Sequence, residues 1–224
     1  MKPVVLVTGG ARGIGKAIAA AFSSDHDVAI TYHTTSPDAA MQVYAVQADL
    51  GDPQSAQQVI DAVIRKFGRL DVLVNNAGAI AMDTDDSALI YAVNVAAPVA
   101  LLNAALPHLK RGASVVNISS VNAVLPAMGA VFYSASKAAL DTWTRGMAKT
   151  LGPDGIRVNG VAPGAIERVE QPRPPELVNA FVEMTALGRC GVPEDIAKVV
   201  RFLASDAAGF ITGETITVSG GYRL

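Results

Sequence analysis

Seven short apolar runs, rich in β-branched residues, punctuate the 224-residue chain, and helical patterns fill most of the intervals between them. The runs are Val4–Val7, Val28–Tyr32, Val43–Val46, Val72–Val74, Val115–Ile118, Val158–Val161 and Thr215–Val218. Continuous apolar runs of this length read as strands buried on both faces. Helical patterns cover Gly13–Phe22, Pro53–Phe67, Ser87–Leu109, Tyr133–Leu151 and Pro193–Ala204. Asp52-Pro53 supplies a start signal for the second of these and Gly68 a stop. Strand–helix alternation along the whole chain predicts a parallel sheet with helices on both faces, the doubly wound α/β class. The interval from Tyr32 to Val43 leaves little room for a crossover helix, so that connection is expected to be short. The Pro/Glu-rich stretch 167–176 reads as an exposed loop. No linker, repeat or low-complexity segment divides the chain, so residues 1–224 are expected to form one domain.

Composition narrows the function classes. Half of the residues are hydrophobic and 17% are charged, which suits a large core and argues against disorder. A net charge of -2 gives no general affinity for nucleic acid or anionic membrane. Cys190 is the one cysteine, so an internal disulfide and a CxxC metal site are excluded, and no histidine pair has zinc-ligand spacing. The N-terminus opens directly into a strand, and no apolar run looks long enough to cross a bilayer. These features predict a cytoplasmic protein with neither nucleic-acid nor membrane partners.

The stretch "LVTGGARGIG" (6–15) sets dense glycines between the first strand and the first helix. Gly9 lets the chain turn, Gly13 removes bulk where backbone nears a ligand, and Gly15 lets the helix pack on the sheet. Amides at the helix start, assisted by the helix dipole, then suit a diphosphate. The spacing is not GxGxxG, and glycines also serve plain packing. A second signal lies at the end of strand two. NAD-preferring sites place a carboxylate there. Here "ITYHTTS" (30–36) offers His33, Thr34 and Thr35, while Arg12 sits in the glycine loop. A cation and hydroxyls suit a 2′-phosphate, which favours NADP over NAD.

"FYSASKAAL" (132–140) places Tyr133 and Lys137 four apart on one helix face. A nearby ammonium favours phenolate, so the pair is read as a proton donor and acceptor with a lowered tyrosine pKa. "NISS" (117–120) ends a buried strand at the carboxyl edge, where open α/β sheets bind ligands. Ser120 is placed to hydrogen-bond a substrate carbonyl, and strand alternation turns Ser119 to the other side.

Taken together, "TGGARGIG", "NNAG" (75–78), Asn94 in "VNV", "NISS", "YSASK" and "VAPG" (161–164) resemble the short-chain dehydrogenase/reductase family. Order and approximate spacing agree over nearly the whole chain, through "ITGETITVSGGY" (211–222). The resemblance implies a Rossmann-type fold with a seven-stranded parallel sheet, and hydride transfer between a nicotinamide and a carbonyl or alcohol carbon. It implies Tyr133 as general acid/base, Ser120 as the group polarising the carbonyl, and Lys137 as the residue that lowers the tyrosine pKa and holds the nicotinamide ribose. Asn94 is implied to maintain a water-linked proton relay to the lysine. The glycine loop with Ile14 would hold the diphosphate. Asn76, Ala77 and Gly78 would line the cofactor near its ribose, Asp49 and Leu50 the adenine, and Pro163, Gly164 and Ile166 the nicotinamide. The resemblance further implies a homotetramer or homodimer, and no metal.

Two departures stand out. Arg168 occupies the position where the family often has a threonine touching the nicotinamide carboxamide. The stretches between Gly78 and Asn94, and between strands two and three, are short for the family. Among members, the chain is most similar to 3-oxoacyl-carrier-protein reductases and broad-substrate relatives, so a small-molecule or acyl-thioester carbonyl substrate is expected. "TYHTTSPDA" also resembles pteridine reductases. A non-catalytic NADP-sensing regulator is the rival from another class. Retention of the Tyr/Lys pair speaks against it.

Overall fold

A computed structural model describes residues 2–80 and 87–222. Seven strands form one sheet: β1 Val4–Val7, β2 Asp27–Tyr32, β3 Tyr44–Gln47, β4 Val72–Asn75, β5 Ser114–Ile118, β6 Arg157–Pro163 and β7 Thr215–Val218. Their spatial order is β3-β2-β1-β4-β5-β6-β7, and every neighbouring pair is parallel. The order therefore reverses between β1 and β4, and a crevice opens beyond the carboxyl ends there.

The helices are α1 Gly13–Phe22, α2 Ser55–Phe67, α3 Ser87–Tyr91, α4 Ala97–Ala105, α5 Val131–Leu151, α6 Pro175–Glu183 and α7 Pro193–Ala204. Strand alternation divides the core between the two faces of the sheet. Val4 and Leu6 join α2, α4 and the end of α5 in one apolar cluster, through Val59, Ile60, Leu101, Leu102, Ala148 and Leu151. Val5 and Val7 point the other way, into a cluster with Ile18 and Phe22 of α1 and Ile196 and Val200 of α7. The expected parallel sheet with helices on both faces is what forms.

Three expectations are corrected. The run expected as one helix over 87–109 is broken by a π-helical turn, Ala92–Ala96, and ends in a 3-10 turn, Leu106–His108. By length and composition Ser87–His108 is apolar enough to cross a membrane, contrary to the reading of the sequence. Here its buried residues, among them Ile90, Asn94, Leu101 and Leu102, pack inside the protein. The stretch 167–176 is not loop throughout, because α6 begins at Pro175, where a proline suits the first turn of a helix. The connection between β2 and β3 holds no helix, as its length predicted. Part of the short stretch between Gly78 and Asn94 lies outside the described residues.

The close seat of α1 depends on Gly15. A Cβ there would lie 2.3 Å from the Gly9 carbonyl oxygen and 2.5 Å from Asn76 Nδ2. Gly15→Ala is therefore expected to cost on the order of 1–3 kcal/mol, read as a lower denaturant midpoint. Gly146→Ala, on the exposed side of α5 with nothing within 4 Å of the new Cβ, is expected to be neutral or to stabilise by up to ~1 kcal/mol. Equal effects at the two positions would contradict the packing argument.

Candidate active site

The crevice at the β1/β4 reversal is a cleft of about 670 Å³. Its floor is built from two clamped loops. Thr8, at the end of β1, accepts the backbone N–H groups of Asn76 and Ala77 on its hydroxyl, each at 3.0 Å. Asn76 answers with its side-chain amide, which donates to the Thr8 and Gly9 carbonyls at 2.8 and 3.2 Å. Thr31 on β2 holds the loop from the other side, its hydroxyl accepting from Gly9 N–H at 3.1 Å. Gly9 and Gly13 both have positive φ, 64° and 52°, which a residue with a Cβ adopts only under strain. Gly13, Ile14 and Gly15 then present the start of α1 to the cleft.

Arg12, His33, Thr34 and Thr35 line one end of the cleft, beside Asp49 and Leu50. His33 Nε2 stands 3.8 Å from Asp49 Oδ2, so a carboxylate does reach this end, from beyond β3 and not from β2. Asn76, Ala77 and Gly78 follow along the wall. At the far end stand Ser120, Tyr133 and Lys137, with Pro163, Gly164 and Ile166 opposite them. Every residue expected at the site from sequence lines the cleft except Asn94.

Asn94 lies behind the wall with no solvent exposure. Its Oδ1 accepts from Ala79 N–H at 2.8 Å, and its Nδ2 donates to the Ala79 carbonyl at 2.9 Å and to Ser136 Oγ at 3.0 Å. The π-helical turn turns this side chain inward. A Cβ built on Gly78 would lie 3.3 Å from Asn94 Oδ1 and 3.6 Å from Lys137 Nζ, so the glycine lets the three approach.

Lys137 is 4% exposed and donates to the Ile118 carbonyl at 2.8 Å. Its Nζ stands 5.8 Å from the centre of the Tyr133 ring. Burial pushes the ammonium down to about 8, with the Asp141 charge pulling the other way. Tyr133 also departs from the expected direction. Burial pushes its phenol above the ordinary value, against opposing pulls from the Ser120 hydroxyl and the Arg168 charge. Desolvation thus outweighs the stabilising contacts, and near neutral pH this phenol keeps its proton. Ser120 Oγ accepts from Asn122 N–H at 3.1 Å and begins a 3-10 turn, Val121–Ala123, which fixes its position at the end of β5.

The loop after β6, expected from the sequence to cover the active site, also reaches the glycine loop, which sequence reasoning missed. Glu170 accepts a hydrogen bond from Gly13 N–H at 3.3 Å, at the start of α1. The aliphatic stem of Arg168 rests over the same glycine, 3.2 Å from a Cβ built there. Arg173 holds the loop, donating to the Ile166 carbonyl at 2.7 Å with its guanidinium 5.3 Å from the Phe181 ring. The charge run in "ERVEQPR" marks these residues as polar, but Gly13 and Glu170 stand 157 residues apart, so no local pattern joins them.

A doubly wound α/β fold with a glycine loop at the strand-order reversal and a buried lysine beside a tyrosine defines a dinucleotide-type oxidoreductase architecture. The family model described as enoyl-(acyl carrier protein) reductase matches residues 9–223. The chain is 36% identical over 234 residues to the meso-2,3-butanediol dehydrogenase of Serratia marcescens, covering 97% of this chain and 93% of that protein. It is 33% identical over 237 residues to the 3-oxoacyl-(acyl-carrier-protein) reductase of Thermotoga maritima, covering 97% and 96%. The crystal structure of a short chain dehydrogenase from Burkholderia cenocepacia in complex with NADP superposes with a TM-score of 0.92 at 35% identity, covering 99% of this chain and 98% of that one. The chain belongs to the short-chain dehydrogenase/reductase family. It is an oxidoreductase of the kind that moves a hydride between a nicotinamide cofactor and a carbonyl or alcohol carbon.

The buried lysine makes stability depend on pH. Its pKa is lower folded than unfolded, so between about pH 8 and the ordinary lysine value of 10.5 the unfolded chain binds the extra proton. Stability contributed at this position therefore rises with pH through that window, and the cost of burying the charge is fully present below it. Lys137→Met is expected to remove this rise. Denaturant titrations of both proteins across the window measure the difference, and parallel pH curves would contradict the burial argument.

Proposed function

We propose that residues 1–224 act as one domain that reduces a carbonyl with NADPH, or runs the reverse oxidation. The observation that supports this reading most is the single cleft that holds the glycine loop at one end and Ser120, Tyr133 and Lys137 at the other. The residues fit a dinucleotide. Glycines at 9, 13 and 15 leave a cradle that Cβ atoms would fill, and the α1 amides favour an anion. The Gly13 N–H, now bonded to Glu170, and the neighbouring α1 amides would hold the diphosphate, with Arg168 beside them. Asn76, Ala77 and Gly78 would border the ribose, Asp49 and Leu50 the adenine, and Pro163, Gly164 and Ile166 the nicotinamide.

When bound, the nicotinamide supplies or accepts the hydride. The chain's own residues manage the proton and the oxygen. Ser120 donates to the substrate carbonyl and fixes its orientation. Tyr133, which holds its proton at neutral pH, gives it to the oxygen as negative charge develops there. Lys137 donates to the ribose and keeps a positive charge near the phenol. Asn94 holds the Ala79 backbone and the Ser136 hydroxyl behind this group, and in this reading maintains the proton route to the lysine. A small ketone or an acyl thioester with a 3-oxo group fits the reaction class.

Tyr133→Phe is expected to lower kcat by about 10²–10⁴ while leaving NADPH affinity nearly unchanged. Steady-state rates with ketones, 3-oxoacyl thioesters and dihydropterins, paired with NADPH titrations, check this. Near-wild-type turnover in that variant on any accepted substrate would defeat the mechanism.

The preference for NADP(H) rests on Arg12, His33, Thr34 and Thr35 at the adenosine end, with no carboxylate at the tip of β2. Arg12 is exposed, so its charged bond to a 2′-phosphate is taken near the lower bound of ~1.5 kcal/mol, or about tenfold in affinity. Arg12→Ala is expected to erode the preference by weakening NADPH, and Thr34→Asp to turn it toward NADH. Calorimetric titration of both cofactors measures it. Equal or tighter NADH binding by the unmodified chain would overturn the preference.

A further inference from the structure

We propose that Asp141 is a positioning residue whose buried carboxylate, one helical turn beyond Lys137 on the same helix face, keeps that lysine charged. The proposal rests on the reading of Lys137 as a cofactor-binding residue. A buried ammonium carries a large desolvation cost unless an opposite charge or several acceptors compensate it. Among the described residues Lys137 has one hydrogen-bond acceptor, the Ile118 carbonyl. A single neutral carbonyl is poor compensation for a full charge that is 4% exposed.

Asp141 shares the buried face of α5 with Lys137 and is itself 8% exposed. Side chains four apart on a helix are neighbours. Burial raises the Asp141 carboxyl above its ordinary value, against opposing pulls from the Ser119 and Thr215 hydroxyls and the Arg145 and Lys137 charges, and the carboxylate in turn favours the ammonium. Asp141 is held from the sheet side, where Thr215 of β7 donates to its Oδ1 at 3.3 Å. The buried Ser119 hydroxyl also lies beside it and favours its ionised form, without a well-formed hydrogen bond of its own. Ser119 directly follows β5 and lines the cleft, while Thr215 opens β7. Lys137 lines the cleft and Asp141 does not, so the carboxylate acts on the lysine without occupying the ligand's space.

The remaining groups that face the pair are few among the described residues. Tyr133 precedes Lys137 by one turn on α5, and Arg145 follows Asp141 by one turn, its charge favouring the carboxylate. From β5 comes the Ile118 carbonyl, from the residue after it the Ser119 hydroxyl, and from β7 Thr215. Arg168, from the loop after β6, acts on Tyr133. Asp141 is the one charge among these that acts on the lysine, and burial alone drives Lys137 toward its neutral form. A neutral amine holds a ribose less firmly than an ammonium does, because charged donors make the stronger hydrogen bonds.

The test uses lysines labelled with carbon-13 at Cε in the full chain, with Lys137→Met to assign the signal. In the unmodified protein one lysine is expected to titrate near the value of about 8 that burial sets, far below the exposed ones. Asp141→Asn and Asp141→Ser, two ways of removing the charge, are expected to move that midpoint down by about one pH unit, while Asp141→Glu restores it. NADPH affinity, measured calorimetrically over the same range, is expected to fall off at correspondingly lower pH in the neutral variants and to match the unmodified protein at the acid end. A merely structural role would weaken NADPH equally at every pH. A lysine midpoint unmoved in whichever neutral variant folds overturns the proposal. A shifted midpoint with an unmoved affinity profile instead contradicts the placing of Lys137 at the cofactor.

Discussion

The Thr8 hydroxyl takes two backbone amides, those of Asn76 and Ala77, and thereby ties the loop after β1 to the loop after β4. These loops leave the sheet where its order reverses, and their backbone donors have no strand to pair with. Left unpaired and half-buried, each would cost about 1–3 kcal/mol. The Asn76 side chain closes the arrangement by returning two donors to the Thr8 and Gly9 carbonyls. The glycine loop, the start of α1 and the wall that leads to Gly78 all take their positions from this exchange. The cleft exists because the sheet parts there, and it keeps its shape because the parted loops bond to each other.

The catalytic end depends on a different constraint, the burial of a cation. Lys137 enters the space between β5 and α5, where one carbonyl receives it. Burial shifts both members of the pair in the direction of their neutral forms, the phenol up and the ammonium down. The outcome near neutral pH is a protonated phenol beside a lysine that is still mostly charged. That is the state a proton donor needs at the start of a carbonyl reduction. Burial keeps the phenol protonated against the opposing pull of the Arg168 charge, and the Asp141 charge favours the ammonium.

Most of the fold was legible because fully buried parallel strands must be short continuous apolar runs, and six of the seven observed strands lie within a residue of the expected ends. β6 is the exception, reaching Pro163, since its last residues pair with β7 beyond the point where the apolar pattern stops. The π-helical turn at Asn94 was illegible: Ser87–His108 is so apolar throughout that the phase shift of an inserted residue leaves no mark on its pattern. α6 was hidden by its prolines, which punctuate a loop and start a helix equally well. At the site, Tyr133, Lys137 and Ser120 were legible because a helix face and a strand end fix their geometry from spacing alone. The direction of the Tyr133 shift was not, since it turns on burial, which spacing does not reveal. Glu170 on Gly13 and Asp141 behind Lys137 were missed for related reasons, one a contact between distant segments and the other a charge whose burial only the packed sheet creates.

The central claim is that one cleft brings a nicotinamide to a carbonyl under the Ser120–Tyr133–Lys137 group. Single-turnover reduction of an accepted ketone with NADPH deuterated on the transferable face of C4 tests it most directly, with mass spectrometry of the alcohol. Deuterium is expected on the carbinol carbon in the unmodified chain, and almost none formed in the same time by Tyr133→Phe, although that variant binds the cofactor. Deuterium transferred equally fast by both proteins, or alcohol formed without deuterium, would contradict it.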